Sequence, residues 1–153
     1  MDEEPSASAG RFHGREHRLG VRVYYEDTDF TGVVYHANYL RYFERGRSDF
    51  LRLAGIDHTA LLERADPCAF AVTRMTIAFQ RPAHIDDSLI VFTAYDSFRG
   101  ARLLIRQRIA KGRETIASAD VEAVCIAPSG RPRRAPKDLV ELLAPRLLAL
   151  AAP

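Results

Sequence analysis

The strongest constraint on the fold is a pair of tight turns set between three long apolar-rich runs. Leu89 to Phe98 leads into Arg99-Gly100, Leu103 to Ala110 into Lys111-Gly112, and Thr115 to Ala127 follows. Connections this short join antiparallel strands, because a parallel neighbour needs a crossover of a dozen residues or more. An earlier run, Phe70 to Phe79, stops at Arg81-Pro82. Near the start, Leu19, Val21, Val23 and Tyr25 share one face and Arg22 the other, the alternation of a half-buried strand. The pattern predicts an antiparallel sheet of five strands.

One long helix interrupts this order. Tyr39, Leu40, Phe43, Phe50, Leu51 and Ala54 recur at helical spacing, Asn38 is placed to cap the start, and Gly55 is placed to end it in a left-handed conformation. Gly46 falls on or beside the apolar face, where a larger residue would hold the helix off a sheet. A shorter helical piece is expected over Thr59 to Arg64, and an amphipathic one over Lys137 to Leu150, entered after Pro136 and broken by Pro145. Strand, long helix, then several strands is an α+β order. A single helix covers one face of such a sheet and leaves the other to water or to a partner.

At 153 residues and 47% hydrophobic, the chain has enough material for one domain, read as residues 18–153 behind a flexible tail over 1–17. Twenty-two Lys and Arg against 20 Asp and Glu leave a net charge of +2, too balanced for a nucleic-acid binder. No apolar run approaches the ~20 residues a membrane span needs, and the polar N-terminus has no signal-peptide core. A cytoplasmic protein without stable membrane insertion is expected. Cys68 and Cys125 have no metal-type spacing and read as buried free thiols.

The chemistry concentrates in Tyr25 to Tyr39, YEDTDFTGVVYHANY. Asp27 and Asp29 stand two residues apart in a loop that leads into the long helix. A helix start exposes unpaired N–H groups and a partial positive charge, which can polarise a carbonyl and hold a developing oxyanion. A carboxylate beside it can attack an acyl carbon or activate water. An Asp at such a place ordinarily caps the helix, so position alone does not choose between these roles. His36 can orient a water, protonate a leaving thiolate or pair with a carboxylate. The other histidines lack such company: His13 and His17 fall in the tail, and His58 and His84 in surface loops. Glu44 on the helix reads as an ion-pair partner of a neighbouring Arg.

The run D-T-D-F-T-G-V-V-Y-H-A-N-Y-L resembles the signature of the 4-hydroxybenzoyl-CoA thioesterase family, and more closely its Tol–Pal-associated acyl-CoA thioesterase branch. The likeness continues through Phe43, Glu44, Arg47, the Gly55 turn and R-P-A-H-I-D-D at Arg81 to Asp87, and covers roughly Leu19 to Leu139. It implies the hot-dog fold, a long central helix wrapped by an antiparallel five-stranded sheet. It implies hydrolysis of acyl-CoA thioesters to a free acid and CoA, with Asp29 as nucleophile or general base. Asp27 orders the loop, and Tyr35 and His36 stand beside the catalytic carboxylate. Phe70, Ala71 and Val72 align with the strand that flanks pantetheine and thioester, and Arg99 and Arg134 with CoA-contacting positions.

No metal or cofactor is implied, CoA being part of the substrate; an acyl carrier protein thioester is the other possible form. A homo-oligomer, dimer or tetramer, with sites at the subunit interface is implied as well. Two rivals remain: a hot-dog dehydratase of 3-hydroxyacyl thioesters, against which the Asp-x-x-Gly-Val-Val-Tyr-His run argues, and a non-catalytic acyl-thioester binding module.

Overall fold

In the computed structural model, which describes residues 3–149, the strands form one antiparallel sheet. They are β1 (Arg11–His13), β2 (Glu16–Arg22), β3 (Ala69–Phe79), β4 (Ser88–Arg99), β5 (Arg102–Lys111) and β6 (Glu114–Ile126). Their order across the sheet is β1-β2-β4-β5-β6-β3. The β4–β5 and β5–β6 hairpins close where the sequence placed them. Gly100 and Gly112 adopt φ of 66° and 56°, the left-handed conformation that tight hairpin turns require and side chains resist.

The long helix α1 (Asn38–Leu53) lies across the sheet, with Tyr39, Tyr42, Phe43, Phe50 and Leu51 buried beneath it. This is the hot-dog arrangement. Phe50 stacks on Tyr95 of β4 at 4.1 Å between centroids and 9° between planes; each such ring taken out of water contributes about 1.5–3 kcal/mol. Gly46 sets the approach: a Cβ there would lie 2.7 Å from Thr93 Oγ1 and 2.8 Å from Val91 Cγ1. Polar groups between helix and sheet satisfy one another. Gln107 donates to Phe43 O at 2.8 Å and Thr93 Oγ1 at 2.9 Å, and accepts from Arg47 Nη1 at 2.9 Å. Arg47 also meets Glu44, the ion pair read from sequence.

Two short helices follow the expectation, α2 (His58–Glu63) and α3 (Lys137–Leu143). Pro145 falls in a 3₁₀ turn, Ala144–Arg146, that ends α3; the expected helix end at Leu150 lies outside the described residues. Gly55 closes α1 at φ 94°.

Three expectations are corrected. The sheet has six strands, because residues 11–17, read as tail, form β1 and open β2. Phe12 packs edge-on to Phe50 at 4.9 Å, which gives this polar stretch an anchor that alternation alone does not reveal. His17, assigned to the same tail, is fully buried. Asn38 is the first helical residue rather than the cap: Ala37 holds the cap position without a side-chain bond, and the Asn38 amide is engaged by Asp27.

Candidate active site

The Asp27–Tyr35 loop is a miniature hairpin. Thr28 and Val34 form an antiparallel bridge, Gly32 N–H donates to Asp29 O at 3.1 Å, and Asp29 N–H donates to Val33 O at 2.9 Å. Gly32 takes φ 82°, so the turn needs glycine there. A second bridge, Val33 to His84, and the bond from Val34 N–H to Ala83 O at 2.8 Å fasten the loop to the β3–β4 connection.

Asp27 holds this loop from below. Its carboxylate is buried and accepts from Tyr24 N–H at 2.8 Å and from the Asn38 amide at 2.7 Å. The Tyr42 hydroxyl is buried beside it with no partner in hydrogen-bonding geometry. Burial and the neighbouring carboxylate hold that phenol well above the ordinary tyrosine range. Asp27 is therefore the ordering carboxylate and Asp29 the accessible one.

Asp29 accepts from both the hydroxyl and the N–H of Thr31, at 2.5 and 2.8 Å. The Thr31 hydroxyl first, and then its backbone N–H, hold the Asp29 carboxyl below the usual aspartate value. The group is thus ionised at neutral pH. Thr31 was missed in the sequence reading, although Asp-x-Thr in a turn is a recognisable signal for such self-bonding. A cavity of about 290 Å³ opens here, lined by Asp29, Tyr35, Ala37, Asn38 and Arg41 among others. No side chain caps α1: Asn38 N–H donates to Tyr35 O at 2.8 Å and Leu40 N–H to Ala37 O at 3.2 Å, and the Tyr39 N–H between them has no side-chain acceptor at the end where this cavity sits.

Of the three expected catalytic residues, Asp29 and Tyr35 share this cavity. His36 is exposed and sits by Tyr35, 4.6 Å between rings, and by Phe79, 6.1 Å. The residues expected to bind substrate are elsewhere. Phe70 pairs with Cys125, Arg99 with Arg102 at the β4–β5 turn, and Arg102 with Val124. Arg133 N–H bonds Cys125 O at 2.8 Å, which brings exposed Arg134 to the same end. The Asp29 loop stands by Phe79, at the other end of β3. Nine residues of strand separate Phe70 from Phe79, about 30 Å. Within one chain, Phe70, Ala71, Val72, Arg99 and Arg134 do not meet Asp29.

Neither thiol is exposed. Burial, then its neighbour Cys68, pushes Cys125 up to about 11, so it carries no thiolate to act as nucleophile. Among the described residues no three His, Cys, Asp or Glu side chains converge as metal ligands would, and no helix is long and apolar enough to cross a membrane.

Fold and site together define a hot-dog protein of the thioesterase class: residues 23–143 match the thioesterase-like superfamily, and the chain belongs to it. It is similar to the acyl-CoA thioester hydrolase YbgC of Escherichia coli O6:H1, 43% identical over 125 residues that span 80% of this chain and 92% of that protein. The acyl-CoA thioesterase YbgC of Haemophilus influenzae is 42% identical over 106 residues, 69% of this chain and 77% of its own. Among solved structures, a probable thioesterase from Bartonella henselae superposes with a TM-score of 0.76 at 45% identity, covering 79% of this chain and 99% of that one. A 4-hydroxybenzoyl-CoA thioesterase bound to 4-hydroxybenzoyl-CoA superposes at 0.75 with 21% identity, over 84% and 98%, and shares the fold. The family that the Asp29 run resembled is the family found.

Proposed function

We propose that this chain hydrolyses acyl-CoA thioesters to a free acid and CoA, with Asp29 as nucleophile or general base. The observation that carries the reading is Asp29 itself: an ionised carboxylate, fixed by Thr31, in a cavity at the uncapped start of α1. The thioester carbonyl would point at the first-turn N–H groups, which stabilise charge as it develops on oxygen. Asp29 would then add to the carbonyl carbon and expel CoA as thiolate, leaving a mixed anhydride that water hydrolyses to the free acid and the restored carboxylate. Alternatively, it would take a proton from a water that attacks the carbonyl and expels the thiolate directly. Tyr35 lines the same cavity, and His36, beside Tyr35, would pass a proton to the leaving thiolate through a water.

The two ends of β3 suggest how the rest is assembled. β3 is an edge strand that exposes Val72 and Phe79, a combination that isolated proteins avoid. Pairing it antiparallel with a second copy about a two-fold axis would lay Phe70 of one chain beside Phe79 of the other. Each Asp29 would then face the partner copy's Phe70–Val72 strand and its Arg99 and Arg134, whose guanidinium groups suit CoA phosphates. A homodimer is the minimum active unit in this reading, and a tetramer of two such dimers is compatible with it. Buried free thiols fit a reducing cytosol.

The test is thiol release from a panel of short, medium, long and aromatic acyl-CoAs, alongside the same acyl groups on acyl carrier protein. Turnover of at least one thioester by the wild type, lost in Asp29→Asn with binding retained, is the expected outcome. Binding without turnover across the panel would point instead to an acyl-thioester binding module.

A further inference from the structure

The outer edge of β2 is open beyond Arg18. β1 pairs with it only from Arg11↔Arg18 to His13↔Glu16, whereas Leu19 to Arg22 are held by β4 on the other side alone. The segment before β1 does not continue the ladder, because Asp49 Oδ2 takes the Gly10 N–H at 2.8 Å. Residues 3–9 stand exposed.

Helix α1 faces this edge. Arg45, Ser48 and Arg52 from the helix, Gly20, Val21 and Arg22 from the strand, and Ser8 from the segment before β1 line a groove of about 390 Å³. Its two acids are already engaged, Glu44 by Arg47 and Ser48, and Asp49 by His17, Gly10 and Arg52. Neither Arg22 nor Arg45 has a carboxylate partner among the described residues. Arg22 donates to Asp86 O at 2.9 Å and Arg45 lies over the Tyr42 ring, so with both acids engaged the groove keeps a small excess of positive charge.

Gly20 has no reason within the chain to be glycine. A Cβ there would meet nothing within 4 Å, and its φ is not among the positive ones. Glycine weakens a strand, and in one it marks a place where another backbone or a ligand approaches.

We propose that this groove docks an extended, acidic segment of a partner protein, which adds a strand to β2 along Leu19–Arg22. In a strand the N–H and C=O of alternate residues point to one edge, so two of the four residues Leu19–Arg22 present open backbone groups. These call for an extended partner rather than a helix, since strand addition draws its affinity from main-chain bonds. Arg22 and Arg45 select carboxylates on that segment. None of the groove's lining residues belongs to the Asp29 cavity, so the proposal stands apart from the hydrolysis reading.

The experiment is fluorescence anisotropy of the full-length protein with a labelled octapeptide of alternating Thr and Glu. Saturable binding with a Kd below about 100 μM is expected. The Arg22→Glu/Arg45→Glu pair should weaken it about tenfold or more. Replacing the two central threonines by proline, which removes N–H donors, should weaken it comparably, and a Thr-Lys octapeptide should not bind. Arg45→Gln alone, at an exposed helix position, should weaken binding several-fold and serves if the double variant fails to fold. Absence of saturable binding overturns the proposal. So does equal binding of the proline or lysine peptides, unchanged affinity in the folded variants, or full displacement by oligo-dT, which would mark a general polyanion surface.

Discussion

His17 Nε2 lies 2.7 Å from Asp49 Oδ2, with both side chains out of solvent, and this contact joins the N-terminal hairpin to the middle of α1. The carboxylate only accepts, so the proton between them belongs to Nε2, which leaves buried Nδ1 without a partner. His17→Ala should destabilise the protein by about 2–4 kcal/mol, since it strips Asp49 of one buried partner and opens space between Phe12 and Phe50. Asp49 keeps the Gly10 N–H and Arg52, which holds the loss below that of a fully orphaned charge. Urea unfolding measures it; a loss under about 0.5 kcal/mol would mean that the pair is structurally idle.

The acid limb of the activity profile should lie low. Asp29 is depressed by its Thr31 bonds, so the carboxylate proposed to act stays ionised as pH falls until it passes below the ordinary aspartate value of about 3.9. Thr31→Val removes the hydroxyl bond, keeps the N–H bond and should move the limb upward in pH. Profiles of kcat/KM for both proteins, with circular dichroism to exclude acid unfolding, decide it. Coincident limbs would detach Thr31 from Asp29 chemistry.

Arg99→Ala and Arg134→Ala should raise KM for CoA esters more than they lower kcat. Contacts to phosphates far from the reacting carbon contribute binding that ground and transition states share. The comparison substrate is a truncated pantetheine thioester without the phosphates, on which both variants should match the wild type. Normal handling of CoA esters by both would place the phosphate site elsewhere.

Mixing should restore what each of two lesions removes. Assayed at acyl-CoA far below the raised KM, where an Arg134→Glu variant is as silent as Asp29→Asn, the two should recover up to about a quarter of wild-type activity after chain exchange. In a two-chain site the mixed dimer, half the population at random exchange, keeps one of its two sites intact. Light scattering should show a dimer or larger. A fully active monomer near 17 kDa would refute the shared site.

The hairpins and the long helix were legible because Gly100, Gly112, Gly46 and Gly55 each answer a local steric demand that a sequence displays. β1 was not, since Arg11–His13 has no alternation of its own and is held by Phe12 against Phe50, a contact between residues far apart in the chain. Asn38 misled for a related reason: its amide suits a cap, and only the fold brings Asp27 to claim it. The position of Asp29, in a loop at the start of α1, was legible from its motif. That Arg99 and Arg134 lie about a strand's length away was not, because spacing along a chain says nothing of which end of a sheet a residue reaches.

The close contact at Gly46 has a mechanical side. Eight residues separate it from Asn38, about 12 Å of helix, so α1 behaves as a lever with its fulcrum on Thr93 and Val91 and its working end at the Asp29 cavity. A methyl group at residue 46 would lift the fulcrum, and a tilt of about 10° would carry the helix start about 2 Å. Misplacement of about 1 Å can cost a hundredfold in rate, so the lack of a side chain at residue 46, remote from the cavity, would govern the aim of the N–H groups proposed to hold the substrate.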